Sequence, residues 1–418
     1  MTSLSNATTG GEVHETALRD ESARKPGAIL VRSYGGFEDL PEACRGVFDK
    51  VGQQSVFLTL PWFRHFAQTA LDEGDKVRIY AVCEANPVGS TSGLLVARSS
   101  KQRAPIFSLR KLSALTNYYS PFFAPHVSVR GISSQETVDA LALAISKEKP
   151  QWDTIEIKPL DVDSADFSQL VAAFKAAGFV VQTFFCAGNW YEPINGRSFD
   201  EYFEGLRSSV RNIARSKNKK IERSGRVQCE IKQRMDGLET AITAYNRVYA
   251  ASWKVREPYP DFVPGLIRTC AAQGSLRLGI AYVAGEPAAC QIWIVHAGVA
   301  SIYKIAYDQK FRDLSVGTYL TTHLMKHVID VDRVAEVDYL TGDDRYKRDW
   351  MSKRRERWGI LALNPRTPLG ALAIARHVGG RAVKRTALAV AARFGRLRER
   401  PSSAEASTQS QSNGKSNS

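Results

Sequence analysis

No apolar run in the 418 residues approaches the roughly 18 consecutive apolar positions that a membrane-crossing helix needs. The polar N-terminus also lacks the hydrophobic segment of a signal peptide, so a cytoplasmic protein is expected, at most peripheral at the inner face of a membrane. Cysteine is sparse and scattered. Cys44, Cys83, Cys186, Cys229, Cys270 and Cys290 show no close spacing, which argues against a zinc ribbon or a disulfide framework and predicts reduced, mostly buried thiols. Only seven histidines occur; His323 and His327 share a helix face at i and i+4 but lack the glutamate of a His-Glu-x-x-His site, so no metal is expected. Also absent are the Gly-x-x-x-x-Gly-Lys-Ser/Thr phosphate loop, the Gly-x-Ser-x-Gly elbow and the dinucleotide-binding glycine fingerprint.

Acidic residues are the minority, 43 against 57 basic ones, and the resulting charge of +14 is unevenly placed. Arg207–Arg226 carries +7 and Arg366–Arg400 carries +8, so the remainder is close to neutral. Local basicity of this kind predicts two surfaces for anionic partners and no general stickiness.

What is present is enough hydrophobic sequence, 44%, for two cored domains. Residues 1–26 are polar and aperiodic and are expected to be disordered. A first domain over 27–188 reads as strand Ile29–Ser33, helix Glu38–Lys50, a helix opening at Leu60-Pro61-Trp62-Phe63, strands Lys76–Glu84 and Ser90–Ala97 around an Asn86-Pro87 turn, and a strand near Phe107–Leu115. The aromatic loop Tyr118-Tyr119-Ser120-Pro121-Phe122-Phe123 follows. Then come a helix through Val138–Ile145, strand Asp153–Ile157, helix Phe167–Ala176 and strand Phe179–Phe185.

A second domain over 189–365 repeats that element order without appreciable identity. Ser198-Phe199-Asp200-Glu201 is a capping box, and on the next helix Arg207, Arg211, Arg215 and Lys219 recur every four residues along one face, as a solvated face or as a cationic rim over a cleft. Tyr245, Tyr249, Trp253 and Lys254 are read onto a further helix, with Trp253 as core or as platform for a substrate. Leu276–Val283, Ala288–His296 and Val299–Asp308, separated by Ala284-Gly285-Glu286-Pro287 and Ala297-Gly298, read as an antiparallel meander. A loop carrying Ser315 and Gly317 then enters the helix Thr318–Ile329, whose free N–H groups and dipole would receive an anion. Strand Ala335–Leu340 returns beside the meander. The equivalent first-half loop has Pro121 and bulky rings where Ser315, Val316 and Gly317 stand, and no glycine to admit a phosphate.

Past Leu363, Pro365 and Pro368 end the fold. Residues 366–400 mix apolar and basic positions and read as an amphipathic helical extension, packed on the domain or laid on an anionic membrane or an envelope-synthesis complex. Residues 401–418 form a Ser/Gln/Asn-rich tail expected to be disordered.

Gly285-Glu286-Pro287-Ala288-Ala289, Tyr303-Lys304-Ile305-Ala306-Tyr307-Asp308, Leu314-Ser315-Val316-Gly317-Thr318-Tyr319-Leu320 and Asp338-Tyr339-Leu340-Thr341-Gly342-Asp343, with Tyr346-Lys347 and Trp350, resemble the CelD-like and FemAB-like branch of the GNAT acyltransferases. The resemblance covers roughly Ser55 to Leu363. It implies an α/β (α+β) protein of two tandem GNAT-like domains, each a mixed, mostly antiparallel sheet flanked by helices. It implies acyl-CoA (acetyl-CoA) as co-substrate, its diphosphate held at Asp308, Arg312, Ser315, Val316, Gly317 and Thr318 with charge from Lys310. The catalytic candidates are Asp343, preferred over Asp338 as general base, Lys347 to orient an anionic acceptor or the carbonyl, and Tyr303 or Tyr346 as proton donor. Arg211, Arg215, Trp253, Lys254, Lys304 and Trp350 are the substrate-binding candidates. The implied acceptor is an amine or hydroxyl of a sugar or glycan precursor in exopolysaccharide, cellulose or envelope synthesis. Two alternatives stay open: a FemAB-like transferase fed by aminoacyl-tRNA, and a non-catalytic, nucleotide-sensing partner of a polysaccharide assembly.

Overall fold

The computed structural model describes residues 29–84, 90–103, 108–127 and 132–377. The expectations for 1–26, for Asn86-Pro87, for most of 366–400 and for 401–418 fall outside these residues.

The first half runs β1 (Ile29–Tyr34), α1 (Glu42–Gly52), α2 (Leu60–Thr69), β2 (Lys76–Glu84), β3 (Thr91–Arg103), β4 (Ser108–Ala114) and the two-residue β5 (His126–Val127). It continues with α3 (Ser134–Lys147), β6 (Thr154–Asp161), α4 (Ala165–Ala176) and β7 (Val180–Pro193). Helix α1 starts four residues later than expected, with Pro41 at its N-cap, because the residue before a proline is driven out of the helical region. Helix α2 begins where the proline predicts, Thr59 capping it by accepting from the Trp62 amide at 3.3 Å.

The second half runs α5 (Phe199–Glu204), α6 (Ser208–Ser224), β8 (Val227–Lys232), α7 (Leu238–Ala250), α8 (Phe262–Ala272), β9 (Leu276–Val283), β10 (Glu286–His296) and β11 (Val299–Tyr307). After a 3-10 turn at Gln309–Leu314 come α9 (Val316–Asp330), β12 (Glu336–Thr341), α10 (Arg345–Trp350) and β13 (Lys353–Leu363). Trp253 and Lys254 lie beyond the end of α7, in the loop to α8, and not on a helix.

All strands join one sheet in the order β1-β2-β3-β4-β6-β13-β7-β12-β11-β10-β9-β8, with β5 beside β3. Two neighbour pairs are parallel, β4 with β6 and β11 with β12; the others are antiparallel. The halves share this sheet by exchanging their last strands. β7 leaves the first half to pair with β12, and β13 leaves the second to pair with β6. Between them β7 and β13 pair from Lys353↔Tyr191 to Leu363↔Val180, with a register shift between Arg357 and Trp358. Strand β7 therefore runs straight through positions 188 and 189.

One apolar cluster spans both halves, from Val31 and Phe48 through Trp62 to Phe262, Leu276 and Ile292; a second, with Phe199, Trp293, Leu320, Leu324 and Trp350, lies within the second half. Tyr119 stacks on Phe262 with centroids 3.8 Å apart, so the aromatic loop of the first half is fixed against α8 of the second.

Candidate active site

Strands β11 and β12 touch over three residue pairs, ending at Ser301↔Asp338, and then diverge. The gap becomes a cleft of about 310 Å³. Its walls are β11 from Ile302 to Ile305, β12 from Tyr339 to Thr341, the start of α10 with Asp344, Tyr346 and Lys347, the loop residue Lys254, and Tyr118, Tyr119 and Pro121. The corresponding gap between β4 and β6 is plugged by its own loop: the Phe123 amide donates to the Pro159 carbonyl at 2.7 Å, and the Thr116 hydroxyl to that of Lys158 at 2.7 Å.

Next to the cleft, Tyr307, Arg312, Ser315, Val316, Gly317 and Thr318 enclose a smaller hollow of about 140 Å³. Ser315, at φ 57°, is the N-cap of α9, yet its side chain caps no amide; it accepts instead from Lys217 Nζ at 2.7 Å. The first turn of α9 contains no acid, and the opening N–H groups of a helix have no intrahelical acceptor. A Cβ added to Gly317 would lie 3.4 Å from the Tyr307 ring, so the bare glycine keeps the hollow open. Helix α3 is built the other way: Ser133 caps the Glu136 amide and Glu136 answers in a capping box, placing a carboxylate where an anion would have to sit.

The other residues expected at this anion site are occupied elsewhere. Asp308 caps the 3-10 turn by accepting from the Lys310 amide at 3.0 Å, and its own amide donates to Ala288. Lys310 pairs with Glu286 at 2.5 Å. Arg312 and, unforeseen from the sequence, Lys217 are the cations left at the hollow.

The catalytic candidates separate clearly. Lys347 is buried at the cleft wall; its ammonium donates to the carbonyls of Tyr339, at 3.2 Å, and Thr341, with Asp344 3.7 Å away, and burial pushes its pKa down. Tyr346 faces the cleft edge-on to Tyr339, and burial with the nearby Asp344 pushes its pKa to about 12. Tyr303 is at the cleft, but its hydroxyl is spent on the Tyr119 carbonyl at 2.9 Å. Asp343 does not line the cleft. Arg354 clamps both its oxygens, at 2.8 and 2.9 Å, the Trp190 indole adds a third bond, and this pairing holds its carboxyl below the usual range. The neighbouring Asp344 is the carboxylate that faces the cavity.

Asp338 is a buried structural group and not a base. Arg355 and Asn189 donate to it, and its Oδ1 accepts from the Leu340 amide at 2.6 Å, which ties down the positive φ of Leu340 where β12 bends away from its neighbours. Asp338→Ala leaves Arg355 short of a buried partner and is expected to cost about 3 kcal/mol. A shift of the urea midpoint with an unchanged slope checks this; no shift would remove Asp338 from the structural role.

Among the binding candidates, Lys304 and Lys254 line the cleft, and Trp253, 51% exposed, lies with its ring 4.5 Å from that of Tyr307 at the hollow's edge. Burial and the adjacent Lys304 lower the pKa of Lys254. Arg211 and Arg215 do not reach the cleft; both are turned onto Glu204. Trp350 belongs to the core, its carbonyl accepting from the Tyr202 hydroxyl at 2.7 Å.

The sequence reading missed Glu257, in the loop between α7 and α8. It accepts from the hydroxyls of Tyr118 and Tyr119 at 2.6 and 2.7 Å and pairs with Lys304 at 2.6 Å, which fastens the first-half loop over the second-half cleft. Burial works to raise its carboxyl, but the bonds from Lys304, Tyr118, Tyr249 and Tyr119 outweigh it and hold it at about 2, against 4.5 for a free glutamate. Because the folded value is the lower one, its stabilisation is complete above pH 4.5 and is lost as pH falls toward 2. Glu257→Gln is expected to be less stable at neutral pH by roughly 1–3 kcal/mol, and the difference should close on acidification through that window. Urea midpoints measured across the window test this; a pH-independent difference would count against it.

With this geometry in place, a sequence-family model for the acetyltransferase (GNAT) domain matches residues 208–348, from α6 to α10, the span that holds the hollow and most of the cleft. No curated protein matches the chain. Among solved structures, FemX superposes with a TM-score of 0.51 at 14% identity, covering 75% of this chain and 93% of its own. A tandem GNAT protein of the clavulanic acid biosynthesis pathway gives 0.47 at 12% identity, covering 81% and 100%. The C-terminal domain of a putative lysylphosphatidylglycerol synthetase from Agrobacterium fabrum gives 0.46 at 10%, covering 80% and 95%. Residues 208–348 are thus a GNAT acetyltransferase domain, which supports an acyltransferase. Over most of its length the chain has the fold of FemX.

GNAT domains use acyl-CoA, and the residues present fit its diphosphate: an uncapped helix start, no acid in its first turn, a bare glycine and two cations.

Proposed function

We propose that the protein transfers an acyl group from acyl-CoA to an amine or hydroxyl of a sugar or glycan precursor, in the synthesis of an exopolysaccharide such as cellulose or of the cell envelope. The observation that carries the reading is the juxtaposition of the uncapped start of α9 with the β11/β12 gap, joined along β11, whose Ile302–Ile305 line the cleft and whose Tyr307 lines the hollow. In this reading the amides of Val316 and Gly317, with Arg312 and Lys217, hold the diphosphate, and the acyl arm follows β11 into the cleft. Bound acyl-CoA supplies an activated acyl group.

The chain's own residues do the rest. Asp344 accepts the proton that the acceptor loses, a contribution of about 10²–10⁴-fold. Lys347, steadied by two carbonyls of β12, aims its remaining N–H at the reacting centre. Tyr346 stays protonated at neutral pH and can return a proton to the departing group. The exposed rings of Tyr118 and Tyr346 stand at the cleft, and flat apolar faces with polar edges suit a sugar acceptor.

Calorimetry with acetyl-CoA followed by an acceptor screen of amino sugars and glycan precursors tests the proposal. Binding and transfer are expected; no binding of any acyl-CoA would end it. Lys219, Lys220 and Arg223 have no ion-pair partner among the described residues of α6, which favours aminoacyl-tRNA as the second reading of the donor. Its signature is tRNA binding that weakens steeply with salt.

A further inference from the structure

The first half, which has lost the open helix start, carries a separate concavity of about 460 Å³ where β2, β3 and β4 meet the α3–β6 loop. Strand periodicity fixes what faces it. Lys76 and Arg78 are two apart on β2, Lys76 is paired with Ser99 on β3, Lys101 is two beyond Ser99, and Lys101 is paired directly with Arg110 on β4. All five therefore project from one face of the sheet. Lys149 in the loop after α3 adds a further ammonium.

Glu148, the only acid lining this space among the described residues, is already consumed: Arg78 pairs with it, and the Tyr80 hydroxyl and Trp152 indole donate to it at 2.5 and 2.8 Å. Lys76, Lys101 and Lys149 have no ion-pair partner among the described residues, and the intervening stretch at 102–107, Gln-Arg-Ala-Pro-Ile-Phe, contains no acid. Arg110 lies over the Trp152 ring at 4.8 Å and spends one N–H on the Gln151 carbonyl, leaving the rest of its fork unused. Like charges directly opposite on neighbouring strands repel; Glu148 and Asp153 lie near Arg110 but neither pairs with Lys101, so Lys101 facing Arg110 is an arrangement that an anion would relieve.

We propose that this concavity is a second binding site, distinct from the acyl-CoA hollow, for a compact polyanion of the diphosphate class. Its floor is the buried Trp152 with Arg110 stacked on it, and its charge comes from Lys76, Lys101, Arg110 and Lys149. A diphosphate fits the demand for several charge-assisted bonds within a few ångströms, which a monovalent anion does not meet. The site lies toward the ends of β4 and β6 opposite to the plugged gap, so a ligand there leaves that loop and the acyl-transfer cleft uncovered.

The test is calorimetric titration of the full chain with inorganic pyrophosphate, a nucleoside diphosphate and inorganic phosphate, on the parent, Lys76→Glu/Lys101→Glu and Arg312→Glu. The expected result is pyrophosphate binding that drops at least tenfold in Lys76→Glu/Lys101→Glu, with acetyl-CoA binding unchanged, and that survives in Arg312→Glu. A nucleoside diphosphate binding more tightly than pyrophosphate would place a nucleoside in the site; equal binding would place the phosphates alone. Loss in Arg312→Glu with retention in the double variant, no binding by the parent, or inorganic phosphate binding as well as pyrophosphate would overturn the proposal. Circular dichroism of the exposed-lysine variants guards against a folding defect.

Discussion

Gly317→Asp is expected to make the protein more stable and to abolish its binding of acyl-CoA. Both effects come from one place. Position 317 is in the first turn of α9, whose N-cap side chain is drawn off to Lys217 and leaves the helix start without a cap. An aspartate there answers the helix dipole, a gain of about 0.3–1 kcal/mol, and replacing glycine in a helix adds roughly 0.5–1 kcal/mol. The new Cβ meets only the Tyr307 ring, at an ordinary 3.4 Å, so no clash offsets the gain. The same carboxylate lies in the hollow lined by Arg312 and Ser315–Thr318, where it occupies the amides and repels a diphosphate. Acetyl-CoA affinity should fall more than about 100-fold, the loss of two charge-assisted hydrogen bonds at 1.5–3 kcal/mol each, while the melting temperature rises. Gly317→Ala, which has the helix gain without the charge, should lose only a few-fold. A Gly317→Asp protein that still bound acetyl-CoA like the parent would show that α9 does not hold the donor.

The elements that were legible in the sequence are those whose burial is apolar. Strands β9, β10 and β11 emerge from β-branched runs because each is covered by helices and punctuated by turns at Ala284-Gly285 and Ala297-Gly298, where the chain takes positive φ. Strand β13 is central in the sheet and was invisible because it opens with the charged run Lys353-Arg354-Arg355-Glu356-Arg357, which shows no apolar alternation. Two of its charges are neutralised by partners from other strands, Arg355 by Glu336 and Asp338 and Arg357 by Asp161, while Arg354 pairs with Glu356 beside it and with Asp343 in the turn before α10. For the same reason β7 looked finished at Phe185, when its continuation is paired to β13 and β12 by the exchange of strands. The exchange is a property of the assembled pair of halves, and no local pattern announces it.

The anion hollow was legible for a related reason. Ser315, Val316 and Gly317 are adjacent in sequence and act through backbone amides, so a local reading suffices. Lys217 reaches Ser315 from a different helix of the same half, and Glu257 meets Tyr118 and Tyr119 across the two halves, through contacts that only the folded chain creates. A lone glutamate in Lys254-Val255-Arg256-Glu257 offered no signal beyond its company of tyrosines.

The choice between Asp343 and Asp344 is the sharpest case, and it yields the last expected result: Asp344→Asn should lower the rate of acyl transfer by about 10²–10⁴-fold, and Asp343→Asn by no more than a few-fold. A turn between β12 and α10 presents adjacent aspartates to opposite sides, and the sequence does not say which turns inward. Gly188 on β7 decides it. A side chain there would meet the Asp343 carboxylate at 2.2–2.5 Å, so the bare glycine gives that carboxylate room to lie on β7 within reach of Arg354 and Trp190. Asp343 is thereby removed from the cleft, and Arg354 holds it ionised and engaged. Asp344 is left over the cavity, 3.7 Å from the Lys347 ammonium. Since the Asp343–Arg354 pair is largely exposed, its loss should cost no more than about 1 kcal/mol of stability. Initial rates at saturating donor and acceptor for both variants read the difference. Equal rates in the two variants, or a greater loss in Asp343→Asn, would return the base to Asp343 and require the clamp to open during turnover.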